Sequence, residues 1–142
     1  MKSIVTIIFM FLCINMVNAK SVKEAVEHQA RTETDRVLDD KRKPTEVLEF
    51  FGIQPGMKVL DVFGGGGYYT EILSYLVGET GSVTLYNNSP WNAFVNKSVT
   101  ERLKDNRLPN VKRVVLEPMG LETLEEKFDA AIFVLGMHDI LC

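Results

Sequence analysis

The chain has 142 residues, 46% of them hydrophobic and 25% charged, the composition of one ordinary globular domain and not of a disordered or fibrous chain. A formal net charge of -3 leaves no basic footprint, which argues against nucleic acid as a partner. Two cysteines, Cys13 and Cys142, have no metal-ligand spacing, so no metal site is expected.

Residues 1–19 read as a secretory signal peptide. Lys2 supplies the positive start, Ile4 to Met16 is an apolar stretch broken only by Thr6 and Asn15, and Val17-Asn18-Ala19 matches the small-x-small cleavage pattern. Met10-Phe11-Leu12 lacks the small residue that lipid attachment at Cys13 requires. Export to the periplasm or medium is therefore expected, with no membrane span once the signal is cleaved; the alternatives are an uncleaved anchor, which would still send the rest outward, or a buried core helix. Cleavage would leave Cys142 without an internal disulfide partner.

Residues 20–43 read as an N-terminal helical and charged segment. Ser21-Val22-Lys23-Glu24 has the form of a capping box and predicts a helix to about Ala30. Its apolar content, Val22, Ala25 and Val26, predicts weak packing or fraying. Arg31 to Lys43, with only Val37 and Leu38 to bury, reads as a solvated face or loop.

From Pro44 onward the pattern is that of a compact α/β domain. Pro44 suits the first turn of a helix over Thr45 to Phe51 that buries Val47, Leu48 and Phe51, and Gly52 ends it. Gln54-Pro55-Gly56 turns the chain into a strand from Lys58, which runs into four glycines, Gly64 to Gly67. Tyr69, Ile72, Leu73, Leu76 and Val77 then fall at helical spacing, which places Tyr69 in the core and leaves Tyr68 free to line a site.

A second strand is expected at Val83 to Tyr86. A helix capped by Ser89 follows, with Phe94, Val95, Val99, Arg102 and Leu103 on its buried side. Further strands are expected at Val111 to Leu116 and Asp129 to Leu135, with a turn between them over Pro118 to Lys127. The alternation demands a parallel sheet with helices on its faces and puts the glycine turn at the carboxyl end of the first strand, where such sheets bind ligands. An apolar fourth strand near the end of the sequence reads as an open edge, and a complete sheet of this kind needs about 80 to 100 residues more. The expectation is an N-terminal part of a larger domain, residues 44–142, with its last strands missing.

The glycine turn fits neither phosphate cradle in common use. The third glycine of G-x-G-x-x-G falls on Tyr69 or Thr70, which disfavours a nucleotide-dependent oxidoreductase, and no Lys follows the glycines as a phosphate loop needs. Asp61-Val62-Phe63-Gly64-Gly65-Gly66-Gly67 instead resembles the first motif of class I S-adenosylmethionine-dependent methyltransferases, an apolar strand ending D/E-x-G-x-G-x-G, with Phe63 in place of the first glycine.

The longer stretch DRVLDDKRKPTEVLEFFGIQPGMKVLDV followed by GGGYYTEIL resembles a family of predicted exported bacterial methyltransferases. The resemblance implies a Rossmann-like fold, S-adenosylmethionine as cofactor, and a cradle of Gly64, Gly65, Gly66 and Gly67. Gly65 and Gly67 would border the methionine part, and Asp61 would lie near its amino group. Either Asp61 serves the ligand in this way or its carboxylate is satisfied by the turn's own N–H groups.

Asn87 takes the position of the acid that accepts the ribose hydroxyls, and otherwise serves as a turn residue with Asn88. Glu117 falls where an acid lies near the adenine, or is a solvated loop carboxylate. His138 follows the fourth strand and is the candidate catalytic residue, as general base or by orienting a nucleophile, or else has a structural role. Arg42 and Lys43 are placed to reach over the site or bind an acidic substrate. The function implied is methyl transfer from the cofactor to an acceptor that the residues do not name. The alternative is an exported, non-catalytic small-molecule binding or interaction domain on the same fold, with Phe63 and Asn87 as signs of drift.

Overall fold

The computed structural model describes residues 21–134. The segment read as a signal peptide, and Leu135 to Cys142 with His138, lie outside the described residues.

Among the described residues ten helices and strands follow one another. They are α1 (Val22–Val26), α2 (Glu33–Arg36), α3 (Asp39–Arg42), α4 (Pro44–Phe51), β1 (Lys58–Val62), α5 (Tyr68–Val77), β2 (Ser82–Asn87), α6 (Ser89–Leu103), β3 (Val111–Val115) and β4 (Ala130–Ile132). Short 3₁₀ turns lie at Lys104–Asn106 and Pro118–Thr123.

The four strands form one sheet in the order β3-β2-β1-β4, and every pairing is parallel. The chain steps outward from β1 through β2 to β3 and then returns to β1's other side, so β1 and β4 flank the point where strand order reverses. Both outward steps are crossovers in one direction, and right-handed connections of that kind put their helices on one face. Val83 packs in the α5 cluster and Leu85 in the α6 cluster, and strand alternation places these two residues on the same face. Thr84 points to the other face, where its hydroxyl meets Glu126 at 3.3 Å.

The main core lies between α5 and the strands. Ile72, Leu73, Leu76 and Val77 pack with Val59, Val83 and Ile132, all nearly or fully buried. Each such side chain contributes about 1.5–3 kcal/mol over an exposed one. Ala25, Val26 and Leu48 belong to the same cluster. The capping box of α1 is present: Glu24 N–H donates to Ser21 Oγ at 3.2 Å, and Ser21 N–H donates to Glu24 Oε2 at 2.7 Å. The first helix is thus part of the core, contrary to the weak packing its thin apolar content predicted, because Ala25 and Val26 meet α4 and α5 directly.

Other departures from expectation are local. The cap of α6 is Asn88, whose Oδ1 accepts from Trp91 N–H at 3.0 Å, in place of Ser89. Val95 and Val99 are buried as expected, but Phe94 is 81% exposed and stacks on Trp91. In α4, Leu48 is buried while Phe51 remains 38% exposed.

Candidate functional site

The turn after β1 is built from unusual backbone conformations. Phe63, Gly65 and Gly67 all have positive φ, at 52°, 59° and 86°. Gly64 stays in the ordinary range but has no room for a side chain, since a Cβ there would lie 2.6 Å from Asp61 Oδ2. The loop is pinned from three sides. Gly64 N–H donates to Tyr86 O at 3.3 Å, Gly65 exchanges two hydrogen bonds with the Asn87 amide at 3.0 and 3.1 Å, and Arg102 Nε donates to Gly66 O at 2.7 Å.

A cavity of about 800 Å³ opens over this turn. Its walls come from the carboxyl end of every strand: Phe63 to Gly66 after β1, Asn88, Pro90 and Trp91 after β2, Pro118 after β3, and Val134 after β4. Tyr68 and Tyr69 line it from the start of α5. Thr34, Asp35, Leu38 and Arg42 close it from the N-terminal segment.

That segment is not the solvated face expected of Arg31 to Lys43. The Arg31 side chain is fully buried and forms a fork on Asp39 at 2.8 and 2.7 Å. Asp39 also accepts from Tyr68 Oη at 2.5 Å, and the Arg42 guanidinium sits over the Tyr68 ring at 4.4 Å. Burial alone would raise the Asp39 pKa, but hydrogen bonds from Arg31 and Tyr68 outweigh it and hold the carboxyl below its usual value.

A second network lies deeper. Arg102 reaches Asp35 at 2.6 Å and also Glu71, and Arg107 reaches Glu71 at 2.6 and 3.1 Å. Glu71 has no exposed side-chain surface; burial raises its pKa, and the arginines with Tyr75 more than reverse this. These paired charges join α2, α5 and α6 directly beneath the glycine turn.

Asp61 is different. It is 2% exposed, accepts from Thr70 Oγ1 at 2.6 Å, and has no ion pair among the described residues. Burial pushes its pKa up to about 6 against the opposing hydrogen bonds from Thr70. A carboxylate without a cation therefore lies under Gly64, against the floor of the cavity. Trp91 Nε1 is likewise buried without a partner on the cavity side of α6.

Of the residues singled out in the sequence, Gly64, Gly65, Gly66 and Tyr68 lie on the cavity wall. Asp61 lies behind Gly64, and Gly67 is buried next to Arg102 and Leu85. Tyr69, expected only in the core, is buried yet also on the wall, with its hydroxyl donating to Arg42 O at 2.8 Å. The Asn87 amide is fully buried and turned onto Gly65, so it holds the loop and presents no free group at the end of β2. Glu117 is exposed and accepts from Ser89 N–H at 3.3 Å, beside the cavity-lining Pro118. His138 lies outside the described residues. The sequence reading missed Asp35, Asn88 and Trp91, because nothing local marks them apart from the N-cap pattern that Asn88 shares with Ser89.

Comparison with known proteins agrees with this geometry. The sequence model of "Protein-L-isoaspartate(D-aspartate) O-methyltransferase (PCMT)" matches residues 20–120. A ubiquinone/menaquinone biosynthesis C-methyltransferase from Shewanella pealeana is 36% identical over 94 residues, covering 66% of this chain and 36% of the relative. The chain thus spans about a third of the length of such curated relatives. The crystal structure of TrmN from Thermus thermophilus superposes with a TM-score of 0.52 at 18% identity, covering 80% of this chain and 31% of the other. That of coclaurine N-methyltransferase gives 0.51 at 22% identity, covering 72% and 28%. These two likenesses concern the fold alone. With the family match extending over most of its length, the chain belongs to the protein-L-isoaspartate(D-aspartate) O-methyltransferase family of class I S-adenosylmethionine-dependent methyltransferases.

Proposed function

We propose that this chain forms the cofactor-binding part of an exported enzyme that transfers a methyl group from S-adenosylmethionine to an acceptor. The observation that carries the reading is the glycine turn over a buried Asp61 that has no ion pair among the described residues, at the point where strand order reverses. Family membership and the names of the relatives support it. The signal-like residues 1–19 support export, and the relatives' greater length supports a protein continuing beyond this sequence.

The residues present fit such a cofactor. Its ammonium and sulfonium would supply the cationic partner that Asp61 lacks, and Gly64 to Gly66 leave the backbone open to close approach. When bound, the cofactor supplies an electrophilic methyl group on positively charged sulfur. The chain's own work is to bind and orient. Asp61 fixes the amino end directly or through water, Asn87 and Arg102 hold the turn rigid, and the N-terminal segment with Arg42 and Leu38 covers the cavity against water. Trp91 Nε1 and Asn88 are placed to meet the adenosine end, with Glu117 close by. His138 is retained as the proposed base for the acceptor.

Calorimetric titration of the full-length natural protein with S-adenosylmethionine and S-adenosylhomocysteine tests this. Micromolar binding of both is expected, and absence of binding at millimolar ligand would end the methyltransferase reading. The orientation of Asn87 toward Gly65 favours one alternative, a non-catalytic extracytoplasmic binding domain, since the end of β2 then offers no acid to a ribose. That alternative gains if no S-adenosyl compound binds while the cavity still takes other small molecules.

A further inference from the structure

Phe63 occupies a backbone conformation that favours glycine, with φ at 52°. A bulky L residue there is strained and persists only where its surroundings fix it. Phe63 belongs to neither buried hydrophobic cluster, although it packs on the fully buried Tyr86. Phe63 is half-buried on the cavity wall, immediately before Gly64. It is held by two further rings: Tyr86 at 5.2 Å between centroids, tilted by 58°, and Phe133 at 5.8 Å, tilted by 48°. An aromatic ring set in this place lines a cavity that has the Asp61 carboxylate buried behind Gly64, and the π face of such a ring attracts a cation.

We propose that Phe63 is a specificity-determining residue whose ring favours a ligand with positively charged sulfur over the same ligand with neutral sulfur. The inference rests on the reading of the cavity as an S-adenosylmethionine site. Methyl transfer removes the charge from sulfur, so the contact favours the substrate form and is lost in the product, which speeds release of S-adenosylhomocysteine.

The test is a comparison of two affinities in the full-length natural protein carrying phenylalanine, monofluorophenylalanine or trifluorophenylalanine at position 63, with Phe63→Leu as a fourth form. Fluorination keeps the ring's shape and weakens its π face, so it separates charge recognition from packing even if Phe63→Leu fails to fold. The expected result is a stepwise loss of S-adenosylmethionine affinity reaching about three- to thirtyfold, with S-adenosylhomocysteine affinity unchanged. Equal losses for both ligands, or no change for either, would overturn the proposal and leave the cofactor reading intact. Failure of the unsubstituted protein to bind either ligand would instead overturn the cofactor reading, and this inference with it.

Discussion

Asp61 carries a cost in the ligand-free protein that its neighbour Thr70 relieves only in part. Its carboxyl has a pKa near 3.8 when unfolded and about 6 when folded, mainly because of burial. The folded state therefore binds the proton more tightly, and this group's contribution to stability falls as pH rises through that window, then levels off. Asp39 and Glu71 act in the opposite sense: their lowered pKa values add stability above the unfolded carboxylate range and lose it on acidification. Comparing wild type with Asp61→Asn isolates the first effect. The variant is expected to be more stable without ligand at about pH 7.5, by at most on the order of 2–3 kcal/mol, and equal to wild type near pH 4. Its affinity for S-adenosylmethionine should drop about tenfold or more, since a charged hydrogen-bond acceptor becomes neutral. Scanning calorimetry across pH checks the first part; a variant less stable than wild type at every pH would show that Asp61 is not a burdened carboxylate. The Asp61-x-x-Gly pattern was legible in the sequence, but its lack of a cation was not, because that depends on what α5 and β2 bring alongside.

Between elements, Arg102 is the joint. It lies on α6 and binds Gly66 O after β1, Asp35 on α2 and Glu71 on α5, with only 14% of its side chain exposed. Arg102→Met keeps the bulk and removes the charge. Asp35 then loses its ion pair and keeps only the more distant charge of Arg107, and Glu71 retains only Arg107, among the described residues. Breaking a buried pair by removing one partner costs about 3–5 kcal/mol, so the urea midpoint should fall sharply. A loss below about 1 kcal/mol would mean that water screens these pairs. The sequence pattern placed Arg102 on the buried side of α6 but could not name its partners. Those partners are 31, 36 and 67 residues away, and no local period encodes them.

At the scale of the molecule, the charged segment before Pro44 is a working part of the domain. It contributes Ala25 and Val26 to the core and Thr34, Asp35, Leu38 and Arg42 to the cavity. A protein trimmed to begin at Pro44 should therefore lose its cooperative thermal transition, followed by circular dichroism, and any stabilisation by S-adenosylmethionine. A sharp transition at an unchanged midpoint would show the segment to be accessory. The sequence by itself determined the alternation of strands and helices, the parallel sheet and the glycine turn at a strand's carboxyl end, because residue periodicity and turn chemistry are local properties. Only the tertiary structure decided the order β3-β2-β1-β4, the pairing of Asp35 and Glu71 with arginines, the turning of Asn87 onto Gly65, and the placing of Phe63 at the cavity. Each of these depends on residues far apart in the chain, and burial and charge pairing act only once the path of the backbone has brought such groups together.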